Sequence, residues 1–424
     1  MLCRNCYSKK FKKIVSIGSQ PISSKFNNTK KISEKKYPLD LYKCKDCNLI
    51  QLGKTAPVSQ MYGSSYGYRS GISKLMISHL KKKYTSIKKM KKNYNRVLDI
   101  GSNDGTFLNF FSQKNFNVGI DPSIKKFRKY YNKKIFSINN YFSKKNISKF
   151  FKIKNNLKLK FDVISSFAIF YDIEKPNEFC EDINSLLDDN GIWILEFSYL
   201  PLMLKNLTFD QICHEHVTYY SLKTFQKIAK KNNLKIIDAK LNEINGGSIE
   251  VICAKNEAKF KEPKNKIKKI LNDENKITAA SFKRFNSRIK KIKKDATNFI
   301  KYNNDKKQKI IGYGASTKGN VILNYCNISN KDIPYICDAN KFKFNKFTPG
   351  TNIKIISKNK IKVIKPHYLL VLIWPFRKEV INQEIKFIKN GGSLIFLLPK
   401  FHIVDKSNFK KYLKSSFKPL SYDY

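Results

Sequence analysis

No apolar run in this 424-residue sequence reaches the roughly 18 residues a membrane-spanning helix requires. The opening Met1-Leu2-Cys3-Arg4 leads into no apolar signal-peptide core, so the expectation is a cytoplasmic protein with no membrane span. There is no internal repeat. Acidic residues are scarce, with 32 Asp and Glu against 84 Lys and Arg, for a formal net charge of +52. Such an excess can serve nucleic-acid binding, where cationic side chains displace counterions from phosphates. Here, however, Lys is spread through every segment, at positions a helix or loop exposes, beside abundant Ile and Asn. Solvated faces with a generic attraction for anions fit better than a dedicated nucleic-acid surface. An apolar share of 41% and an aromatic share of 13% exclude wholesale disorder. The length calls for two or three domains.

Nine cysteines are present, five of them scattered, and four form the pairs Cys3-Arg4-Asn5-Cys6 and Cys44-Lys45-Asp46-Cys47. In a reducing compartment this reads as metal ligation rather than a disulfide framework. Two C-x-x-C turns, each presenting two thiolates, complete a tetrahedral zinc site with no open position for water, hence a structural role. The 37 residues between the pairs exceed the spacing of common zinc fingers and form a polar, Lys-rich connection; a redox or accidental origin is the alternative.

From about 95 to 255, short apolar runs alternate with helical stretches, which predicts a βα series around a parallel sheet. The strands read as Val97 to Ile100, Val118 to Asp121, Phe161 to Ser166, Gly191 to Phe197, Leu234 to Ile237 and Ser248 to Ala254. Phe282, Phe285, Ile289, Ile292, Ala296 and Phe299 recur at helical spacing, an apolar stripe expected to pack between domains. After a polar break at Asn303-Asn304-Asp305, strands at Lys309 to Tyr313, Ile333 to Asp338, Tyr368 to Trp374 and Ser393 to Leu398 form a second αβ series. The expected units are 1–72, 73–258, a linking amphipathic helix at 259–302, and 303–424.

In the first series a strand ends at Asp99, turns through Gly101-Ser102-Asn103-Asp104-Gly105 and enters a helix, and Asp121 ends the next strand. Glycine lets the backbone approach a ligand, and an acid at the second strand tip can accept ribose hydroxyls. The run lacks the helix-packing third glycine of the dinucleotide pattern and places an amide and a carboxylate in the loop. Those groups suit a cationic methionyl ligand better than a pyrophosphate, so S-adenosylmethionine is the expected cofactor.

His214-Glu215-His216, within Phe209 to Ser221, is the densest titratable cluster. It lacks the H-E-x-x-H spacing of a metal-binding helix. A histidine poised near neutrality beside a carboxylate is a natural general base; a hydrogen-bonded pair bracing a loop is the alternative. Tyr62, Tyr66 and Tyr68 with Arg69 and Ser70, and the turn Asn245-Gly246-Gly247-Ser248, are further candidates for pocket walls.

Taken in order, these motifs resemble the three-domain sugar C-methyltransferases, which act on nucleotide-linked 4-keto-deoxysugars. The resemblance spans nearly the whole chain. It rests on both cysteine pairs, Tyr66-Gly67-Tyr68-Arg69-Ser70-Gly71, Leu98 to Gly105, His214-Glu215-His216 through Tyr220-Ser221, Gly246-Gly247-Ser248, and Gly312-Tyr313-Gly314-Ala315 through Lys318-Gly319-Asn320. Asp338 and Thr348-Pro349-Gly350-Thr351 fit as well. It implies an α/β architecture: an N-terminal zinc module on Cys3, Cys6, Cys44 and Cys47, a class I Rossmann-like methyltransferase domain, and a C-terminal Rossmann-like domain around one cleft. It also implies that His216 removes the proton next to the sugar ketone, with Glu215 orienting it, Tyr68 or Tyr66 near the keto oxygen and His214 close by. Asp99, Gly101, Ser102, Asn103, Asp104, Gly105 and Asp121 would hold S-adenosylmethionine. Tyr219, Tyr220, Asn245, Gly246, Gly247, Ser248, Tyr313 and Lys318 would face the nucleotide sugar. The expected protein is a monomer with no specific nucleic-acid partner. The sequence departs from the family at Cys213, where relatives carry Tyr, at Tyr171, where several carry His, and at Ile373-Trp374-Pro375-Phe376, where Asn usually follows Trp. An RNA methyltransferase and a non-catalytic nucleotide-binding protein are the competing readings.

Overall fold

A computed structural model describes residues 1–31, 33–61, 68–152 and 159–415. Three sheets organise them. Strands β1 (Phe11–Gln20), β2 (Tyr37–Cys44) and β3 (Ile50–Leu52) form an antiparallel N-terminal sheet. Its two long strands alternate, with Val15, Ile17, Leu39 and Leu41 inward and Lys12 and Lys13 outward. The connection that the composition paints as merely polar therefore contains a half-exposed strand pair, with Lys12 and Lys13 exposed to solvent.

The central domain contributes β4 (Arg96–Ile100), β5 (Phe116–Ile120), β6 (Phe136–Ile138), β7 (Phe161–Phe167) and β8 (Leu187–Ser198). After the two-residue β9 (Thr218–Tyr219) follow β10 (Leu234–Asn242) and β11 (Ser248–Lys255). Their sheet runs β10-β11-β8-β7-β4-β5-β6, and β11 alone is antiparallel to its neighbours. The runs at 97–98, 163–164 and 192–195 are buried throughout, as in a sheet covered on both faces. β9 leaves this domain and pairs with β3, so the loop after His216 closes the N-terminal sheet.

The C-terminal sheet holds β12 (Ile310–Tyr313), β13 (Tyr335–Asp338), β14 (Lys354–Ser357), β15 (Tyr368–Val371), β16 (Ser393–Phe396) and β17 (His402–Val404). It is ordered β14-β13-β12-β15-β16-β17 and parallel up to the last strand.

Four helices matter for the site: α1 (Lys74–Met90), α2 (Lys264–Glu274), α3 (Ala279–Asp305) and α4 (Thr317–Cys326). The segment expected as one linking helix is thus two, and Asn303-Asn304-Asp305 is the last turn of α3 rather than a break. Asn303 is buried and its side chain donates to the Phe299 carbonyl at 2.7 Å, so its amide is paired inside the helix rather than ending it. The stripe on α3 lies in one apolar cluster with Val15 and Ile17 of β1 and Ile310 of β12, and Asn286 donates to the Ile14 carbonyl at 2.9 Å. That helix joins the first and third sheets. Among the described residues no helix is long and apolar enough to cross a membrane.

Candidate active site and metal centre

Each cysteine pair sits on a tight turn, with Tyr7 N–H donating to Cys3 O and Asn48 N–H to Cys44 O. The four sulfurs lie within 4.8 Å of one another, Cys3 and Cys47 at 3.4 Å and Cys6 and Cys44 at 3.6 Å, and none is in a disulfide. A tetrahedral zinc with bonds of about 2.3 Å needs sulfur–sulfur edges near 3.8 Å, so the donor set fits a closed four-thiolate zinc site.

The cofactor groove opens where β4 and β5 end. Gly101 has φ +72° and Gly105 φ +74°; a Cβ on Gly101 would meet Ile169 at 2.6 Å, and one on Gly105 would meet Tyr131 at 2.8 Å. Two cavities adjoin along Gly101, Asp121, Ala168 and Ile169. One, of 720 Å³, is the more polar of the two, with Tyr68, His79, Asp99, Asn103 and Glu196 set beside Met76, Phe107 and Phe167. Its neighbour, of 1030 Å³, has apolar walls from Ile100, Ile120, Tyr141, Phe142, Ile173 and Phe179. A charged methionyl end, an apolar-sided adenine and a ribose at the shared Asp121 match this division. Burial pushes Asp99 up to about 7, against the Ser165 hydroxyl that donates to it at 2.6 Å. Burial also raises Asp121, which accepts Asn103 N–H at 3.1 Å and Ser123 N–H at 2.6 Å.

The polar side chains of the loop also bond to neighbouring segments. Asn103 accepts Ser70 N–H at 3.0 Å and donates to Tyr68 O at 3.1 Å. Asp104 accepts Gly71 N–H at 3.0 Å and pairs with Arg69 at 3.2 Å, whose guanidinium lies 4.1 Å from the Tyr130 ring centre. Ser102 meets the Tyr131 hydroxyl at 2.8 Å. Asp104 and Gly105 line neither cavity. The loop thus pins residues 68–71 over the polar cavity. Tyr68 stands in its wall, while Tyr62 and Tyr66 lie outside the described residues.

Sequence reasoning missed a buried charge network on that same wall. Glu196 of β8 accepts His79 at 2.9 Å, Lys83 at 2.5 Å and Asn242 at 2.7 Å, and Lys83 also bonds Glu250 of β11. Burial alone would raise Glu196, but the His79 hydrogen bond and the Lys83 charge hold it down at about 2. Residues 117 positions apart in sequence carry no local signal of this pairing.

The His214-Glu215-His216 loop is buried. His216 lies against Tyr171, ring centres 4.1 Å apart. Burial, then the Lys318 charge, holds its imidazole well below the ordinary value, against a hydrogen bond to the Gln211 backbone. Asp172, next to Tyr171, lines the apolar cavity, and the Gln211 side chain donates to Asn245 O at 2.6 Å in the wall of the polar one. His216 itself lines neither cavity; Tyr171 and Gln211 connect it to residues that do. His214 turns to Gln20 O at 3.2 Å, and Glu215 accepts Ser23 Oγ at 3.5 Å, both on the N-terminal module.

The C-terminal domain reaches into the same place. Trp374 donates to buried Asp210 at 2.8 Å, and a Cβ on Gly246 would strike the Trp374 ring at 2.7 Å. Gly246 thus admits a neighbouring domain, whereas Gly247 makes room for Leu202. Burial lowers Lys318, against the charges of Asp210, Cys213 and Asp172 around it. Tyr219 donates to Gln211 O at 3.2 Å, whereas Tyr220 packs between Phe170 and Phe197, and Ser248 donates to Ile244 O at 2.9 Å. Tyr313 points away, donating to Gln383 at 3.0 Å and Glu384 at 2.9 Å.

Three family models match in order: a zinc binding domain over residues 3–62, a methyltransferase domain over 71–239, and a C-methyltransferase C-terminal domain over 243–399. Together the three matches span most of the chain, in the order zinc binding, methyltransferase and C-methyltransferase C-terminal domain. It is 26% identical to the C-methyltransferase NovU of Streptomyces niveus over 410 residues, covering 95% of this chain and 96% of that protein. Among solved structures, the magnesium protoporphyrin IX methyltransferase of Synechocystis PCC 6803 with bound SAM is similar at 13% identity over 43% of this chain and 81% of that one, TM-score 0.31. A protein of Pyrococcus horikoshii OT3 is similar at 16% identity over 44% of this chain and 94% of that one, TM-score 0.35. The chain is a C-methyltransferase that uses S-adenosylmethionine and carries a zinc-binding module.

Proposed function

We propose that this C-methyltransferase acts on the carbon next to the ketone of a nucleotide-linked 4-keto-deoxysugar, with His216 as the base. The observation that carries the reading is a buried imidazole held neutral at the meeting of three domains, packed on Tyr171, whose neighbour Asp172 lines the cofactor groove. A neutral imidazole can take the acidic proton that a neighbouring ketone provides. Bound S-adenosylmethionine supplies a sulfonium methyl as the electrophile, with Asp99, Asn103 and Asp121 at the positions that would hold it. His216 draws the proton from the sugar carbon and keeps it as imidazolium, leaving the electron pair in an enolate. Burial and then Lys318 keep the ring neutral beforehand, while Asp210 and Asp172 hold the charge on Lys318. Tyr68, in the wall of the polar cavity, is the donor in reach of the enolate oxygen.

The test is incubation of the protein with S-adenosylmethionine and a panel of nucleotide 4-keto-sugars in deuterated water, followed by mass spectrometry. A methylated product, and deuterium exchange at one carbon that His216→Asn abolishes while S-adenosylhomocysteine affinity stays within about twofold, is the expected result. Undiminished methyl transfer by that variant removes His216 from the role.

A further inference from the structure

Where the N-terminal module, the His214-Glu215-His216 loop and α4 meet, buried polar atoms gather without hydrogen-bond partners among the described residues: Gln20 Oε1, Ser24 Oγ, Tyr37 OH, Glu215 Oε1 and Asn320 Oδ1. One chain of contacts links them. Gln20 faces Tyr37 in the β1–β2 register, and Gln20 O meets His214 at 3.2 Å. The Tyr37 and His214 ring centres are 6.1 Å apart. Ser23, next to Ser24, donates to Glu215 at 3.5 Å, and Asn320 donates to Ser23 O at 2.7 Å.

The orientation of both amides is fixed. Gln20 spends its NH₂ on Ile17 O at 3.2 Å and Asn320 spends its own on Ser23 O, so in each case the oxygen is what faces inward. With the second oxygen of Glu215, three of these five atoms are acceptors only and the other two are hydroxyls that can donate or accept; His214 Nδ1, also without a partner, is a further acceptor when Nε2–H donates to Gln20 O. Buried polar groups in folded proteins are almost always paired, and an acceptor-rich group left open calls for a donor.

We propose, on the nucleotide-sugar reading above, that this junction is a socket for the hydrogen-bond-donating face of the sugar, its ring hydroxyl or amino groups, and that it excludes the diphosphate. A phosphate offers acceptors alone and would set its oxygens against those of Gln20, Glu215 and Asn320. The socket therefore selects for substituents on the sugar beside the carbon that His216 deprotonates.

The test is calorimetry on the whole protein saturated with S-adenosylhomocysteine, using four probes: thymidine and uridine diphosphate, each bare and as its glucose conjugate. For the better-bound nucleotide, the conjugate should bind at least about tenfold tighter than the bare diphosphate. Ser24→Ala and Gln20→Met should each cut that ratio about fivefold while bare-diphosphate affinity stays within twofold, about one hydrogen bond's worth. Unchanged melting temperature and S-adenosylhomocysteine affinity show that the variants are folded. A ratio unaffected in both variants overturns the socket alone, as does equal loss for conjugate and bare diphosphate, which would make it a phosphate site. No binding of any probe to the wild-type protein overturns the nucleotide-sugar reading, and the socket's occupant with it.

Discussion

The chain turns twice from a β-strand through glycine, once into a mere 3-10 turn at Leu108–Phe110 where the sequence predicted a helix and once into α4, and it uses the two turns differently. At Gly101 an acid on the neighbouring strand tip, Asp121, accepts a loop N–H at 3.1 Å, and cavities of 720 and 1030 Å³ flank the turn. At Gly314 an acid in the equivalent place, Asp338, accepts Ala315 N–H at 2.7 Å, but Lys343 closes over it, donating to Ala315 O at 2.6 Å. The helix behind the second turn carries Lys318 toward His216 and Asn320 toward Ser23. One backbone device thus opens a cofactor groove in one domain and presents side chains to a neighbour in the other. A nucleotide-binding topology is a scaffold, and its ligand must be argued from the walls.

The comparison breaks most sharply at the glycines. Gly101→Ala forces a left-handed φ on a side chain and drives its Cβ toward Ile169, so S-adenosylmethionine should bind at least about thirtyfold more weakly, read by calorimetry. Gly314→Ala meets a similar obstacle in Ile373 at 2.7 Å, yet should leave that affinity within twofold and lower the melting temperature by about 2–4 °C. Equal loss of cofactor binding in both would erase the distinction. A smaller contrast lies in the acids: Asp121→Asn should cost about tenfold in cofactor affinity and Asp338→Asn almost nothing. The smallest effect concerns Lys318. Because burial, and then the Lys318 charge, lower the His216 pKa, the acid limb of the kcat/KM profile should lie below pH 6.5, the base being active only when unprotonated. Lys318→Met should move that limb to higher pH by a fraction of a unit, and a shift the other way would contradict the electrostatic picture.

Much of this was legible in sequence where one residue type has one conformational use. The cysteine pairs, the strand ending at Asp99 and the glycine turn after it lie where period and spacing put them, because doubly covered strands read as unbroken apolar runs. β1 was not legible, since Lys12 and Lys13 on its wet face hide the inward alternation of Val15 and Ile17. The loop at 101–105 announced its own position but not its aim; that Asn103 and Asp104 grip Ser70 and Gly71 depends on how a distant segment crosses them. His79, Lys83, Glu196 and Glu250 come together only through the stacking of α1 on the central sheet, a contact no local pattern encodes.

The short strand β9 has a consequence for how the chain is made. Its partner β3 is synthesised early but keeps an unpaired edge until residues 218 and 219 arrive, after most of the central domain. An open strand edge invites pairing with another chain, and contacts so distant in sequence form late. Zinc captured early by the four cysteines would hold the half-finished sheet in shape during that interval. The metal would then protect the nascent chain from association as well as bracing the finished one, and the strand that ends the wait is the one that follows His216.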